Sequence, residues 1–176
     1  MRMPNLLTNL TPKSLRQVEL GELFRTRLNG GLAICVCAEI LGMQKLLAVL
    51  GPVRDGYPAH IVISDGNLPC LSYGADWVID FQVGDESYPG NGYNDPDIGT
   101  LYLDDGAAIL RLPRAGSSDP DSHFEIDILG AGRRDAGRNA VPVKRWSIWA
   151  GETERCRPDT SPVVQFGGAA STIDKT

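Results

Sequence analysis

Short segments in which apolar and polar residues alternate recur along this chain, and they limit its fold more than any other feature. Phe124, Ile126 and Ile128 alternate with acidic residues, and residues 77–82 repeat the pattern with aromatic and aliphatic side chains. A period of two places one set of side chains on a single face of a β-strand. Twenty glycines and twelve prolines separate such segments, as is typical of antiparallel strands joined by tight turns. The sequence therefore predicts a mainly β fold, an antiparallel barrel or sandwich of about 8–10 strands.

Two Asp-Gly dipeptides predict where strands reverse direction. The dipeptide at 105–106 predicts a two-residue loop that pairs Leu103 with Ala108, because both of its residues accept the positive φ of a type I′ turn. The dipeptide at 65–66 similarly predicts a hairpin within residues 60–72, where Pro69 donates no hydrogen bond to a partner strand and so suggests an edge strand or a wider loop. Both turns would join neighbouring antiparallel strands.

The Asn-Gly-Gly turn at 29–31 has two possible loop lengths, and they place different side chains on one face. A two-residue loop sets Arg25 opposite Ile34, which mixes charge into an apolar face. A three-residue loop sets Thr26 opposite Ile34 and Arg25 opposite Cys35. We expect the three-residue loop, because it keeps the arginines away from the apolar face.

Residues 39–50 carry apolar side chains at helical spacing, and Gly51 and Pro52 follow them as a stop signal. This pattern predicts one short-to-medium helix. A buried strand is the alternative, because short apolar runs do not distinguish the two structures.

A chain of 176 residues with 42% hydrophobic content fits a single domain, 1–176. We expect residues 1–20 to form an N-terminal arm and residues 158–176 a loosely held tail. The net charge of −5 argues against general binding to nucleic acid or to membrane surfaces, since both are polyanions. Four cysteines are too few for a disulfide scaffold and indicate reduced thiols in a cytoplasmic protein.

Charge is segregated along the sequence. Residues 55–110 contain ten carboxylates and neither Lys nor Arg, whereas residues 1–54 and 131–157 each contain seven basic and three acidic side chains. This layout predicts a non-enzymatic binding or interaction protein, without a cofactor, whose acidic face over 55–110 engages a basic protein partner. Self-association through the basic part of another copy is the alternative.

A loop rich in Gly, Asn, Asp and Tyr occupies residues 84–99 and combines carboxylates with amphipathic aromatic rings, which is the composition of a recognition loop. Its predicted partner-binding residues are Asp85, Glu86, Tyr88, Tyr93, Asp95 and Asp97. Asp95 and Asp97 are also candidate ligands for a divalent cation such as calcium, although the spacing does not match an EF-hand. A solvated connecting loop is the simpler interpretation, since these residues also favour turns.

A Gly-rich basic segment, residues 131–145, places Arg133, Arg134 and Arg138 in or beside one loop. Guanidinium groups bind phosphates and carboxylates, so these three residues complete the predicted partner-binding set. The segment lacks the P-loop pattern, and an ordinary hairpin loop at the surface is the favoured interpretation.

A small hydrolase or thiol-dependent enzyme is the alternative function, with Cys35 or His123 as its catalytic residue. Arginines beside Cys35 would lower the pKa of its thiol and favour the reactive thiolate. His123 follows a cluster of serines and aspartates at 117–122, which lacks the nucleophile elbow of the α/β-hydrolases. A cysteine packed in a core and a polar turn before a strand explain the same residues without catalysis.

Overall fold

The computed structural model describes residues 10–51, 59–85, 99–115, 123–130 and 132–167. These ranges contain thirteen β-strands, one 3₁₀ turn over Leu15–Gln17 and one short helix. In chain order the strands are β1 (Thr11–Ser14), β2 (Leu23–Leu28), β3 (Gly31–Leu41), β4 (Gln44–Gly51), β5 (His60–Ser64), β6 (Pro69–Gly74), β7 (Val78–Gln82), β8 (Leu101–Asp104), β9 (Ala107–Pro113), β10 (His123–Asp127), β11 (Val141–Val143), β12 (Arg145–Trp149) and β13 (Val164–Phe166), with helix α1 (Glu152–Arg155) between the last two.

The strands form three antiparallel sheets with a sandwich-like arrangement. The six-stranded sheet has the order β1-β6-β2-β3-β4-β5, the four-stranded sheet β10-β9-β8-β11, and the three-stranded sheet β13-β12-β7. The predicted mainly β, antiparallel fold is confirmed. The strands outnumber the prediction because several have only three or four residues, too few to show a period in the sequence.

One hydrophobic core joins the three sheets. It is formed by buried side chains that include Leu23, Val36, Leu46 and Ile61 of the six-stranded sheet, Leu110 and Ile126 of the four-stranded sheet, and Trp146 and Ile148 of the three-stranded sheet. Each fully buried aliphatic side chain of this kind contributes about 1.5–3 kcal/mol of transfer free energy. The core face predicted for Phe124, Ile126 and Ile128 is confirmed: Phe124 packs against this core, and Ile126 in β10 and Ile128 just after it are fully buried.

The opposite face of the six-stranded sheet carries a second core. Its members are Leu15, Val18, Phe24, Ala33, Cys35, Cys37, Leu47, Val49 and Cys70. Leu15 and Val18 lie in the predicted N-terminal arm, where β1 pairs with β6. At the other end of the chain, β13 pairs with β12 within the predicted tail. The six-stranded sheet is therefore covered on both faces over much of its area.

The helix predicted over residues 39–50 is wrong. β3 continues to Leu41, the chain turns at Gly42, where φ is +64°, and β4 begins at Gln44. Almost every residue of β4 is buried, because one of its faces belongs to each core. A strand buried on both faces reads as a continuous apolar run, so its sequence also fits helical spacing.

Two predictions about turns met opposite outcomes. The Asp-Gly hairpin at 105–106 is confirmed, with Leu103 opposite Ala108 and positive φ at both turn residues. The hairpin within 60–72 is wrong, because β5 pairs with β4 while β6 lies between β1 and β2. A long-range pairing therefore separates two strands that are adjacent in sequence.

The predicted three-residue loop at 29–31 is also wrong. Asn29 and Gly30 form a two-residue turn with φ of +49° and +80°, so Arg25 faces Ile34 and Phe24 faces Cys35. Charge is accommodated beside Ile34 because this end of the sheet face is only partly covered, and the guanidinium of Arg25 lies over the ring of Tyr73.

Among the described residues, no helix is long and apolar enough to cross a bilayer, and α1 has only four residues.

Candidate functional site

Most of the predicted recognition loop falls outside the described residues. Asp85 is described and exposed. Glu86, Tyr88, Tyr93, Asp95 and Asp97, and with them the candidate calcium ligands, lie outside the described ranges. Within those ranges, no group of three or more His, Cys, Asp or Glu side chains is placed to hold a metal ion.

The arginines of the basic segment contact acceptors in their own chain. Nε of Arg133 donates to Oε2 of Glu39 at 3.1 Å, and its guanidinium lies 4.7 Å from the centre of the Phe124 ring. Nη2 of Arg134 donates to the main-chain oxygen of Asp104 at 3.4 Å. Arg138 is exposed. Two of the three predicted arginines, Arg133 and Arg134, thus already donate hydrogen bonds within the molecule.

A buried carboxylate anchors the same segment. Oε2 of Glu125 accepts a hydrogen bond from the main-chain nitrogen of Ala136 at 2.6 Å, and Oε1 accepts Nε of Arg111 at 2.8 Å. Nearby, Oδ2 of Asp104 accepts the main-chain nitrogen of Gly137 at 3.0 Å. The small side chain of Ala136 is then buried in a cluster with Tyr102. Residues 132–140 therefore cover the outer face of the four-stranded sheet.

Cys35 lies in the second core and has no exposed surface. Burial raises the pKa of its thiol, and the nearby Cys70 thiol adds to the rise. Burial also raises the pKa values of Cys37 and Cys70. The arginine neighbour expected to favour a thiolate is replaced by Phe24 in the observed register. These surroundings stabilise the neutral thiol.

His123 begins β10 and is exposed, opposite Pro113. It shares a strand face with Glu125, whose carboxylate is already bonded to Arg111 and Ala136. Cys35 lies in another sheet, on the face turned away from the core that joins the sheets. The structure does not bring the two catalytic candidates together.

The outer face of the three-stranded sheet is polar and was not singled out in the sequence. Asp80, Ser147 and Gln165 form a row across β7, β12 and β13. Trp149 lies on the same face and donates from Nε1 to Oγ of Ser147 at 3.1 Å. The alternation of residues in β12 was the available signal, since it sends Trp146 into the core and Trp149 outward.

Asp80 is the one carboxylate of β7, and a cation from α1 meets it. Nη2 of Arg155 lies 3.4 Å from Oδ1 of Asp80, and Nη1 lies 2.9 Å from Oε1 of Glu152. Asp80 and then Glu152 raise the pKa of Arg155. The charge of Asp80 is therefore balanced within the molecule.

The edge of β7 combines exposed apolar side chains with exposed carboxylates. Phe81 is 43% and Val83 58% exposed, while Asp76 and Asp85 are exposed before and after the strand. Among the described strands β7 pairs only with β12. We call residues 76–85 the β7 edge; it lies in the middle of the acidic block and leads into the predicted recognition loop.

No protein-family model, no curated protein and no solved structure matches the chain. Function is therefore inferred from the chain's own residues and contacts.

Proposed function

We propose that this protein is a non-enzymatic binding module that engages a basic, extended segment of a protein partner along the β7 edge. The observation that carries the proposal is the combination at this edge of two exposed apolar side chains, Phe81 and Val83, with exposed carboxylates at both ends, Asp76 and Asp85.

An edge strand offers main-chain donors and acceptors that pair readily with an added strand. An incoming segment that pairs with β7 gains affinity from these main-chain hydrogen bonds. Its apolar side chains would contact Phe81 of β7 and Val83, which directly follows the strand. Lys or Arg side chains near its ends would be attracted by Asp76 and Asp85.

The distribution of internal ion pairs supports a foreign partner over another copy's basic segment. Arg133 is paired with Glu39, and Arg134 is bonded to the main chain at Asp104. If the basic segment of another copy were the partner, these intramolecular contacts would have to break before its arginines could bind the β7 edge. Asp76 and Asp85 form no ion pair with any described residue, so a basic partner finds them available.

The surroundings of Cys35 support binding over catalysis, because this candidate nucleophile is fully buried and burial raises the pKa of its thiol. A thiol with a raised pKa in one sheet and an exposed imidazole in another do not form a nucleophile and its base. The enzyme alternative therefore has no specific observation in its favour among the described residues.

A peptide titration monitored by NMR tests the proposal. A short synthetic peptide in which Lys alternates with Val should shift the main-chain amides of β7 and slow their hydrogen exchange, and the effect should weaken at high salt. A peptide in which Glu alternates with Val is the charge control. Equal binding of the two peptides, or shifts confined to other strands, would overturn the proposal.

Paired charge variants sharpen the test. Asp76→Asn with Asp85→Asn should weaken binding of the basic peptide by roughly twofold to thirtyfold, since two exposed ion pairs are lost and each contributes about 0.2–1 kcal/mol. Asp65→Asn is the matched control, because Asp65 is an exposed carboxylate of the same acidic block that lies beyond the end of β5. If Asp65→Asn weakened binding of the basic peptide as much as the double variant does, only the net charge of the protein would matter.

A further inference from the structure

One face of the six-stranded sheet carries arginine among apolar side chains. A row of directly opposed residues crosses five strands: Pro12 of β1, Leu71 of β6, Arg25 of β2, Ile34 of β3 and Gly51 of β4. Directly opposed residues of antiparallel strands project from the same face. Arg25 is therefore surrounded on its own face by apolar or small neighbours.

A second arginine extends this face toward the Asn29 turn. Arg27 is exposed and lies directly opposite Leu32. Leu32 is 54% and Leu71 43% exposed, so the core that joins the three sheets does not cover this part of the face. We call Arg25, Arg27, Leu32, Ile34 and Leu71 the arginine face.

Arg25 is only half-exposed, and its charge is incompletely satisfied. Its Nε is buried and has no hydrogen-bond partner among the described residues. The guanidinium lies 5.4 Å from the centre of the Tyr73 ring. Burial raises the pKa of Tyr73, although the charge of Arg25 and its hydrogen bond with the Tyr73 side chain oppose the rise, so Tyr73 gives the cation a polar contact but no counter-charge.

Neither Arg25 nor Arg27 forms an ion pair with any carboxylate in the described part of the chain. A partly buried guanidinium without an anion has lost solvation and gained no counter-charge. An anion that approached between the two arginines would restore that balance, and a carboxylate suits the two-pronged donor geometry of arginine.

We infer that the arginine face binds an amphipathic carboxylate, with the head group on Arg25 and Arg27 and an alkyl chain over Leu32 and Leu71. Partial burial of Arg25 favours a slender head group over a flat protein surface. The exposed leucines favour a ligand with an apolar body over a small hydrophilic anion. This inference is independent of the binding proposed for the β7 edge.

Calorimetric titration with three probes separates the contributions of head group and chain. Dodecanoate, kept below its critical micelle concentration, should bind saturably to the full-length chain. Acetate has the charge without the chain, and dodecanol has the chain without the charge, so each should bind at least tenfold more weakly. Dodecanol binding as well as dodecanoate, or no dodecanoate binding, would overturn the inference.

Variants locate the site. Arg25→Met and, separately, Arg27→Met should each weaken dodecanoate binding at least tenfold. Arg25→Lys should recover part of the lost affinity, because lysine keeps the positive charge but lacks the planar guanidinium. Arg16→Met is the matched control, since Arg16 is an exposed arginine on the 3₁₀ turn outside this face. Arg27 is exposed, so its replacement leaves the core intact and keeps the test decisive if Arg25→Met fails to fold.

A peptide distinguishes the macromolecular alternative. A synthetic peptide in which Glu alternates with Leu should bind more weakly than dodecanoate if the head group must be slender. If that peptide binds and dodecanoate does not, the site is a protein-docking surface and the small-molecule assignment is wrong. Unchanged dodecanoate binding in both methionine variants would place the ligand elsewhere.

Discussion

Replacing Glu125 with Gln should destabilise the fold by about 3 kcal/mol. The Glu125 carboxylate is 9% exposed and pairs with the guanidinium of Arg111, which is 18% exposed; it also accepts a hydrogen bond from the main chain of Ala136 at 2.6 Å. Breaking a buried ion pair by removing one charge costs about 3–5 kcal/mol. We expect the lower end, because the amide oxygen of Gln retains one acceptor for one of these donors.

Urea denaturation measures this change as a lower midpoint at an unchanged slope. Glu39→Gln is the control, because the Glu39 side chain is 32% exposed, its partner Arg133 is 53% exposed, and such pairs contribute at most about 1 kcal/mol. Faster hydrogen exchange at the Ala136 amide should accompany the Glu125 change, since a neutral amide oxygen is a weaker acceptor than the carboxylate. If Glu125→Gln costs no more than Glu39→Gln, burial does not strengthen this ion pair and the reasoning fails.

Three further predictions test the fold directly, one by chemical labelling and two by substitution. Iodoacetamide should label Cys156 in the native protein, because its side chain is exposed. The other three thiols are buried and their pKa values are raised: Cys35, Cys37 and Cys70. Labelling of these three in the native protein at a rate similar to that of Cys156 would contradict the raised pKa values. Asn29→Ala should lower the free energy of unfolding by about 1–2 kcal/mol, because alanine resists the left-handed conformation at φ +49°, whereas Asn29→Gly should be nearly neutral in the same urea assay. Gly99→Ala should cost about 1–3 kcal/mol, since a Cβ would lie 2.6 Å from the Phe166 ring and φ is +92°; an unchanged urea midpoint would contradict both the steric cost and the backbone strain.

Local features of the fold were predictable from the sequence. The hairpin at 105–106 follows from two residues that accept positive φ and from the alternation on either side, all within a few positions. The core face of residues 124–128 is equally local, because the apolar residues Ile126 and Ile128 are two positions apart and both are buried. In both cases the signal and the structure share the same short stretch of chain.

Features decided by distant strands were not predictable. Residues 39–50 fit a helix or a strand, and the choice depended on whether one face or both would be buried. The turn at 29–31 depended on how far the other sheets cover the face that carries Arg25 and Ile34. The failed hairpin within 60–72 depended on β6 lying between β1 and β2. Each outcome was set by packing that single-strand patterns do not contain.

The candidate surfaces also differ in how far they could be predicted from local sequence. Segregated charge in the sequence indicated an acidic middle and basic flanks, but Arg133 pairs with Glu39 across 94 positions. The β7 edge lies where the acidic block predicted a binding face. The arginine face was missed, because the preferred register at 29–31 placed Arg25 opposite Cys35 on the other side of the sheet.

Desolvation, rather than net charge, separates the two kinds of arginine in this protein. Arg133 and Arg155 are exposed and already paired, so their charges contribute little to either stability or binding. Arg25 is half-buried, has one nitrogen without an acceptor among the described residues, and lies beside exposed leucines. An incoming carboxylate gains more there than at a solvated arginine, because the protein has already removed water from the cation during folding. We therefore expect the basic segment that stands out in the sequence to bind anions more weakly than the arginine face on β2.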